Sequence, residues 1–234
     1  MLENVIGKKR NIDVVFCIDG TGRMYPCLES VKNNARRFHL EFVSAMTDLG
    51  SEIDSMRVKV IVFRDYEYDG ADSMIESPFY ELPDDDAEFS DFLAKFTASG
   101  GGDSPENGLE ALYLAMKSDF TTGPNDRQVI VMFSDADAVE LKHPTRVTNA
   151  AYPADMVDYD GLQIAWMCAS QDSSFKLRER NKRLVMFAPD GTKYKEISTG
   201  FNRAIFEPVN MADGLKDIDF KDIIKIIAAS ASNA

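Results

Sequence analysis

Three short stretches of this sequence bring oxygen-bearing side chains together, two of them among glycines. They are Asp19-Gly20-Thr21-Gly22-Arg23, Gly100-Gly101-Gly102-Asp103-Ser104-Pro105 and Asp135-Ala136-Asp137. Carboxylates and hydroxyls are hard donors. With no paired His or Cys beside them, the metal they imply is magnesium or manganese rather than zinc. A carboxylate that follows a strand can equally cap the next helix, but three such stretches shift the balance toward a common site. Weaker candidates surround them. Arg64 and Asp65, just past the second strand, could support the site from behind but read first as a surface turn pair, Asp137 reads as a competitor of Asp135, and His143 as an exposed loop histidine. His39 reads as a structural helix residue. Cys17 and Cys27 have no base nearby in sequence and read as inert packing.

The elements that would position these residues follow from hydrophobic period. Ile12–Ile18 is a nearly continuous apolar run, the pattern of a strand covered on both faces, and it stops at Asp19. After Pro26, Leu28, Val31, Ala35, Phe38, Phe42, Ala45 and Leu49 recur at three- and four-residue steps, which predicts a long amphipathic helix. Met56–Phe63 is a second strand, and Ser73–Leu82, interrupted by Pro78, suits a sheet edge. Asp84, Asp85 and Asp86 open a short helix. Ser104 is placed as N-cap and Pro105 as the first residue of the next one. Val129–Ser134 is another buried strand, closed by Asp135, and residues 136–160 are irregular. Leu162–Cys168 reads as helix, Arg183–Ala188 and Ala204–Val209 as strands, and Asp217–Ala231 as a closing helix. Strands alternating with helices predict an α/β doubly wound sheet, whose ligands bind outside the carboxyl ends of the strands. That edge is where Asp19 and Asp135 fall, on loops that should face each other.

Length and charge narrow the function classes. The chain has 234 residues, 44% of them hydrophobic, and no linker or repeat divides it, so residues 1–234 are expected to form a single domain. A formal charge of -13 argues against nucleic acid and against an anionic membrane as partners. No apolar run approaches the roughly 20 residues of a membrane helix, and Asp13 interrupts any signal-peptide core after Lys8-Lys9-Arg10. Three cysteines in no paired motif fit a reducing compartment, and a cytoplasmic location is expected.

Taken together, the strand ending in Asp19-Gly20-Thr21-Gly22-Arg23-Met24, the loop Gly100-Gly101-Gly102-Asp103-Ser104-Pro105-Glu106 and the strand Val129-Ile130-Val131-Met132-Phe133-Ser134-Asp135 resemble the von Willebrand factor A-type domain. The resemblance covers nearly the whole chain and is strongest to free-standing bacterial cytosolic members. It implies a mostly parallel, six-stranded, Rossmann-like sheet with helices on both faces. It also implies a non-enzymatic module whose metal ion-dependent adhesion site holds Mg2+ or Mn2+ and takes an acidic residue from a partner protein. Carried over by position, the ligands would be Asp19, Thr21, Asp103 and Asp135, with Arg23, Ser104 and Asp137 modulating the site or touching the partner. Arg23 stands where the family has a second hydroxyl and cannot ligate a metal. Either it points to solvent while water completes the shell, or its guanidinium pairs with Asp103 or Asp135 in place of the cation. The rival reading is a haloacid dehalogenase-type magnesium-dependent phosphotransferase, since Ile18-Asp19-Gly20-Thr21 resembles half of that signature. Cys17 stands where its nucleophilic aspartate would be.

Overall fold

Alternation along the first strand sets the architecture. Ile12, Val14, Phe16 and Ile18 face one helix layer while Val15 and Cys17 face the other, so the segment must be apolar on both sides. The computed structural model describes residues 8–100, 105–209 and 219–233. In chain order the elements are β1 (Lys8–Asp19), α1 (Tyr25–Asp48), β2 (Ser51–Phe63), β3 (Met74–Glu76), β4 (Tyr80–Leu82), α2 (Asp86–Ala94), α3 (Gly108–Met116), β5 (Asp126–Phe133), α4 (Tyr159–Cys168), β6 (Lys182–Pro189), α5 (Lys193–Gly200), β7 (Ala204–Val209) and α6 (Phe220–Ser232).

The sheet runs β3-β2-β1-β5-β6-β7, with β4 also paired to β2. The strands from β2 to β7 along this path are parallel, and β3 and β4 run antiparallel on the β2 edge. One layer buries Leu28, Phe38 and Phe42 of α1, Phe89 and Leu93 of α2 and Ile223, Ile224 and Ile227 of α6 against the sheet. The other buries Leu109, Leu112 and Met116 of α3, Leu162 and Trp166 of α4 and Tyr194 and Ile197 of α5. Each fully buried Leu, Ile or Phe contributes about 1.5–3 kcal/mol, so the two layers dominate stability.

The fold is the expected doubly wound α/β sheet, with three differences. The sheet has seven strands rather than six, because the expected Ser73–Leu82 edge strand divides around Pro78. There the Ser77 hydroxyl, not a carbonyl, accepts the Val60 N–H at 2.9 Å. The helix after the triple glycine starts at Gly108, with Asn107 at the N-cap position, rather than at Ser104 and Pro105. Glu106 explains the delay, since it forms a parallel bridge with Ala138 and so holds the chain extended. Finally α5, which the sequence reading passes over, follows the Pro189–Gly191 turn.

β1 lies between β2 and β5, which is where the winding direction reverses. Ile18 pairs in register with Phe133, so Asp19 and Ser134 leave neighbouring strands at the same level.

Candidate functional site

Asp19 ends β1 and is fully buried. Its Oδ1 accepts the Thr21 backbone N–H at 2.9 Å and the Thr21 hydroxyl at 2.7 Å, and its Oδ2 accepts the Ser134 hydroxyl at 2.9 Å. Three neutral donors do not replace the water lost on burial. Desolvation first, and then the charge of Asp135, push Asp19 up to about 6 despite those bonds. The turn that follows requires glycine at position 20, where a Cβ would meet Val62 Cγ1 at 2.6 Å. Gly20 carries the sheet one step further, donating to the Phe63 carbonyl at 2.8 Å and accepting from Ser99 N at 3.0 Å.

Asp135, just beyond β5, is 1% exposed, and neither of its carboxylate oxygens has a hydrogen-bond partner. Burial raises its pKa, and the nearby Arg23 opposes the shift. Arg23 Nε lies 3.4 Å from Asp135 Oδ2, yet the Arg23 side chain stays 58% exposed. Arg23 therefore adopts a middle course between the two arrangements left open by the sequence. It reaches the carboxylate from the rim without entering the buried site.

Two expected site residues, Asp103 and Ser104, lie outside the described residues. Their flanks are anchored on the two aspartate loops: Ser99 N on the Gly20 carbonyl, and Glu106 N on the Asp137 carbonyl at 3.0 Å. Asp137 is engaged elsewhere, since its Oδ1 accepts Ala138 N and Lys193 N, both at 2.8 Å, and so caps the start of α5. Among the described residues, no group of three or more His, Cys, Asp or Glu side chains could hold a metal ion. Asp19 and Asp135 are brought together, with the Thr21 and Ser134 hydroxyls beside them.

Several site residues escape the sequence reading. Ser134 appears there only as the end of a strand, although its hydroxyl secures Asp19. Glu106 is 3% exposed with Oε2 unpartnered, and burial, then the charges of Asp19, Asp65, Asp69 and Asp135, push it up to about 8. For Arg64 and Asp65 the supporting role, the less favoured of the two readings, is the one that holds, since they are 7% and 0% exposed and not a surface turn pair. Arg64 donates to the carbonyls of Gly20 at 3.2 Å, Asp72 at 3.0 Å and Thr97 at 3.2 Å, tying three loops around the site. Asp65 accepts from Arg146 Nη2 at 2.7 Å, which pins the irregular segment to the end of β2. Their position directly after a strand at the carboxyl edge was the available signal.

His143 has its Nδ1 3.0 Å from the Thr145 hydroxyl, within its own segment. Cys17 is fully buried, with Sγ 3.7 Å from the Ala111 carbonyl, and burial drives its thiol pKa far up. It offers no nucleophile, so the phosphotransferase reading has no support here.

A doubly wound sheet with two buried aspartates, Asp19 and Asp135, at its winding reversal defines an α/β module whose acidic groups stand at the carboxyl edge. The von Willebrand factor A domain model matches residues 74–207, more than half of the chain, and the chain belongs to that family. The matched stretch includes Glu106 and Asp135, while Asp19 lies before it. No curated protein sequence matches the chain. Among solved structures, the chain is similar to the pilus adhesin SpaC from Lactobacillus rhamnosus GG. In one structure the TM-score is 0.57 at 13% identity, covering 95% of this chain and 31% of the adhesin. In the adhesin's open conformation the TM-score is 0.53 at 11% identity, covering 95% and 30%. The chain thus spans about a third of the adhesin's length. Among the described residues, no helix is long and apolar enough to cross a membrane.

Proposed function

We propose that this chain is a non-enzymatic protein-interaction module that takes an acidic group of a partner protein at the carboxyl edge of its sheet, through a Mg2+ or Mn2+ ion. Asp19, Thr21 and Asp135 would hold the ion, with Asp103 of the triple-glycine loop as a further ligand, Ser134 as the positioner of Asp19, and Arg23 as the modulator at the rim. The same reading takes residues 1–234 as one domain acting in the cytoplasm.

The observation that carries this reading is Asp135. A buried carboxylate whose two oxygens lack any hydrogen-bond donor is costly unless a cation completes it. The exposed Arg23 at 3.4 Å supplies only part of that charge. The donor set fits a hard divalent ion, because it consists of carboxylate and hydroxyl oxygens alone. A bound divalent ion supplies a Lewis-acidic position that a carboxylate from another molecule can fill. No step in this reading needs a nucleophile or a general base. Arg23 adds a positive charge at the rim, which favours an approaching carboxylate while competing for Asp135.

Water-proton relaxation of Mn2+ tests the reading, since the ion reports both its binding and its remaining water. Wild type should bind Mn2+ and lose relaxation enhancement when acetate, the simplest carboxylate probe, is added. Asp135→Asn should weaken Mn2+ binding by about tenfold or more, a factor that corresponds to roughly 1.4 kcal/mol. Wild type that binds no Mn2+ overturns the metal site. Binding that acetate does not perturb overturns carboxylate capture.

A further inference from the structure

The opposite end of the sheet carries a pattern of its own. Near the starts of four strands an arginine stands two residues before Ile or Val: Arg10-Asn11-Ile12, Arg127-Gln128-Val129, Arg183-Leu184-Val185 and Arg203-Ala204-Ile205. Ile12, Val129 and Val185 belong to the core beneath α6, so strand alternation puts Arg10, Arg127 and Arg183 on that same face. Leu184 pairs with Ala204, which brings Arg203 alongside Arg183 at the edge.

Part of this row closes the end of α6. Arg10 Nη2 donates to the Ser232 carbonyl at 2.8 Å, Arg127 Nε to Ala231 at 2.9 Å, and Arg183 Nε to Ser230 at 2.9 Å. The helix end accounts for these bonds but not for the charge. The arginine ion pairs of the described residues fall on Arg23, Arg37, Arg57, Arg146 and Arg203, and none on Arg10, Arg127 or Arg183. Those three are each 4% exposed or less. Burial, and then repulsion by neighbouring arginines, push Arg127 and Arg183 down to about 10. Arg10 Nε and Nη1 and the Ser230 hydroxyl are buried without any hydrogen-bond partner. Arg203 is held at φ +59°, a conformation a long side chain seldom adopts, by its place in the β6–β7 ladder. A cavity of about 220 Å3 opens here, lined by Arg183, Arg203, Ala204, Ile205, Ser230 and Asn233.

We propose that this cavity binds a small tetrahedral oxyanion, either inorganic phosphate or the phosphate of a monoester. Arg203 and the orphaned Ser230 hydroxyl act as donors, and Arg183 supplies charge, because most of its own N–H groups already serve carbonyls. In a protein of net charge -13, the guanidinium groups of Arg10, Arg127 and Arg183, which have no carboxylate partner among the described residues, stand beside Arg203, paired with Glu179 at 4.0 Å, and form a local positive field that a dianion relieves. The site lies at the opposite edge from Asp19 and Asp135 and does not depend on them.

Calorimetric titration of the full chain, freed of divalent cations, tests the proposal, with inorganic phosphate and glycerol phosphate as separate ligands and NaCl holding ionic strength constant. Wild type should bind at least the inorganic anion, and the glycerol phosphate arm tells whether an ester is also accepted. Arg203→Gln should weaken binding by about tenfold or more, the worth of a charge-assisted hydrogen bond. Ser230→Ala, a small change that leaves the arginines in place, should weaken it by a smaller factor. Arg37→Gln on α1 removes the same charge from a residue that does not line the cavity and should bind as wild type does. No heat beyond the NaCl control overturns the proposal, and so does an Arg37→Gln effect equal to that of Arg203→Gln.

Discussion

Strand β1 carries two buried aspartates, Asp13 and Asp19, 1% and 0% exposed, whose surroundings are opposite in kind. Asp13 is gripped by Arg57 through Nε at 2.9 Å and Nη2 at 2.7 Å, and by Thr121 through N at 2.7 Å and Oγ1 at 3.1 Å. Its counter-charge is built into the chain, and Arg57 is itself stacked 4.4 Å from the Phe79 ring centre. Asp19 has neutral donors only, and its neighbour Asp135 has none. A buried carboxylate with an internal cation is a structural tie. One without it leaves a charge for something outside the chain to complete. Beside the Asp13 end, Arg10, Arg127 and Arg183 are the mirror case, buried cations with no carboxylate partner among the described residues, while Arg203 next to them pairs with Glu179. Opposite charge imbalances thus sit at the two edges of one sheet.

Removing the tie at the satisfied end should have the largest effect. Asp13→Ala leaves Arg57 without its partner in a largely buried place and should cost about 3 kcal/mol in urea unfolding. A loss below about 1 kcal/mol would break the contrast, since Asp13 would then be no more structural than Asp135.

Acid should act in the opposite sense on the unsatisfied side. Glu110 of α3 is fully buried, accepts the Tyr152 hydroxyl at 3.0 Å, and is pushed up to about 7, chiefly by burial. Its folded pKa lies above the unfolded value of 4.5, so between pH 7 and pH 4.5 the folded state holds a proton that the unfolded state lacks. Stability from this group therefore rises as pH falls through that window, by about 2 kcal/mol between pH 7.5 and 5.5. Asp19, raised to about 6, adds in the same direction. Urea melts at the two pH values should show wild type gaining, and Glu110→Gln gaining less. An equal gain in both proteins would clear Glu110 of the effect.

The third expected effect is smaller. In metal-free buffer, Asp135→Asn should stabilise the fold by about 1 kcal/mol, because it deletes a buried charge that no donor satisfies. A destabilisation measured by thermal melting would mean that Arg23 already completes the site. Arg23→Ser should change metal-free stability least, by under about 0.5 kcal/mol, as an exposed ion pair does. The same variant should respond to Mg2+ more strongly than wild type across a thermal-shift titration, since it loses a charge competing for Asp135 and gains a hydroxyl. Equal responses would place Arg23 outside the cation's field.

The α/β class was legible from period alone. Runs such as Ile12–Ile18 and Val129–Phe133 alternate between two apolar layers, and that alternation is a local property of extended chain. So was the convergence of Asp19 and Asp135, because both follow strands and parallel topology sends such ends to one edge. The split of the edge strand around Ser77 and the late start of α3 were not legible, since each depends on a bond to a distant residue, Val60 in one case and Ala138 in the other.

Local pattern therefore sets the placement of chemistry: which carboxylates end which strands, and which face each strand presents. The state of each group was set by long-range packing. Asp65 received Arg146 from 81 residues away, Asp137 was taken up by the first turn of α5, and Asp135 was left without a donor. Periodicity is read over neighbouring residues, whereas desolvation and pairing are set by whatever distant segment packs against a group. The chain cannot state that until it has closed on itself.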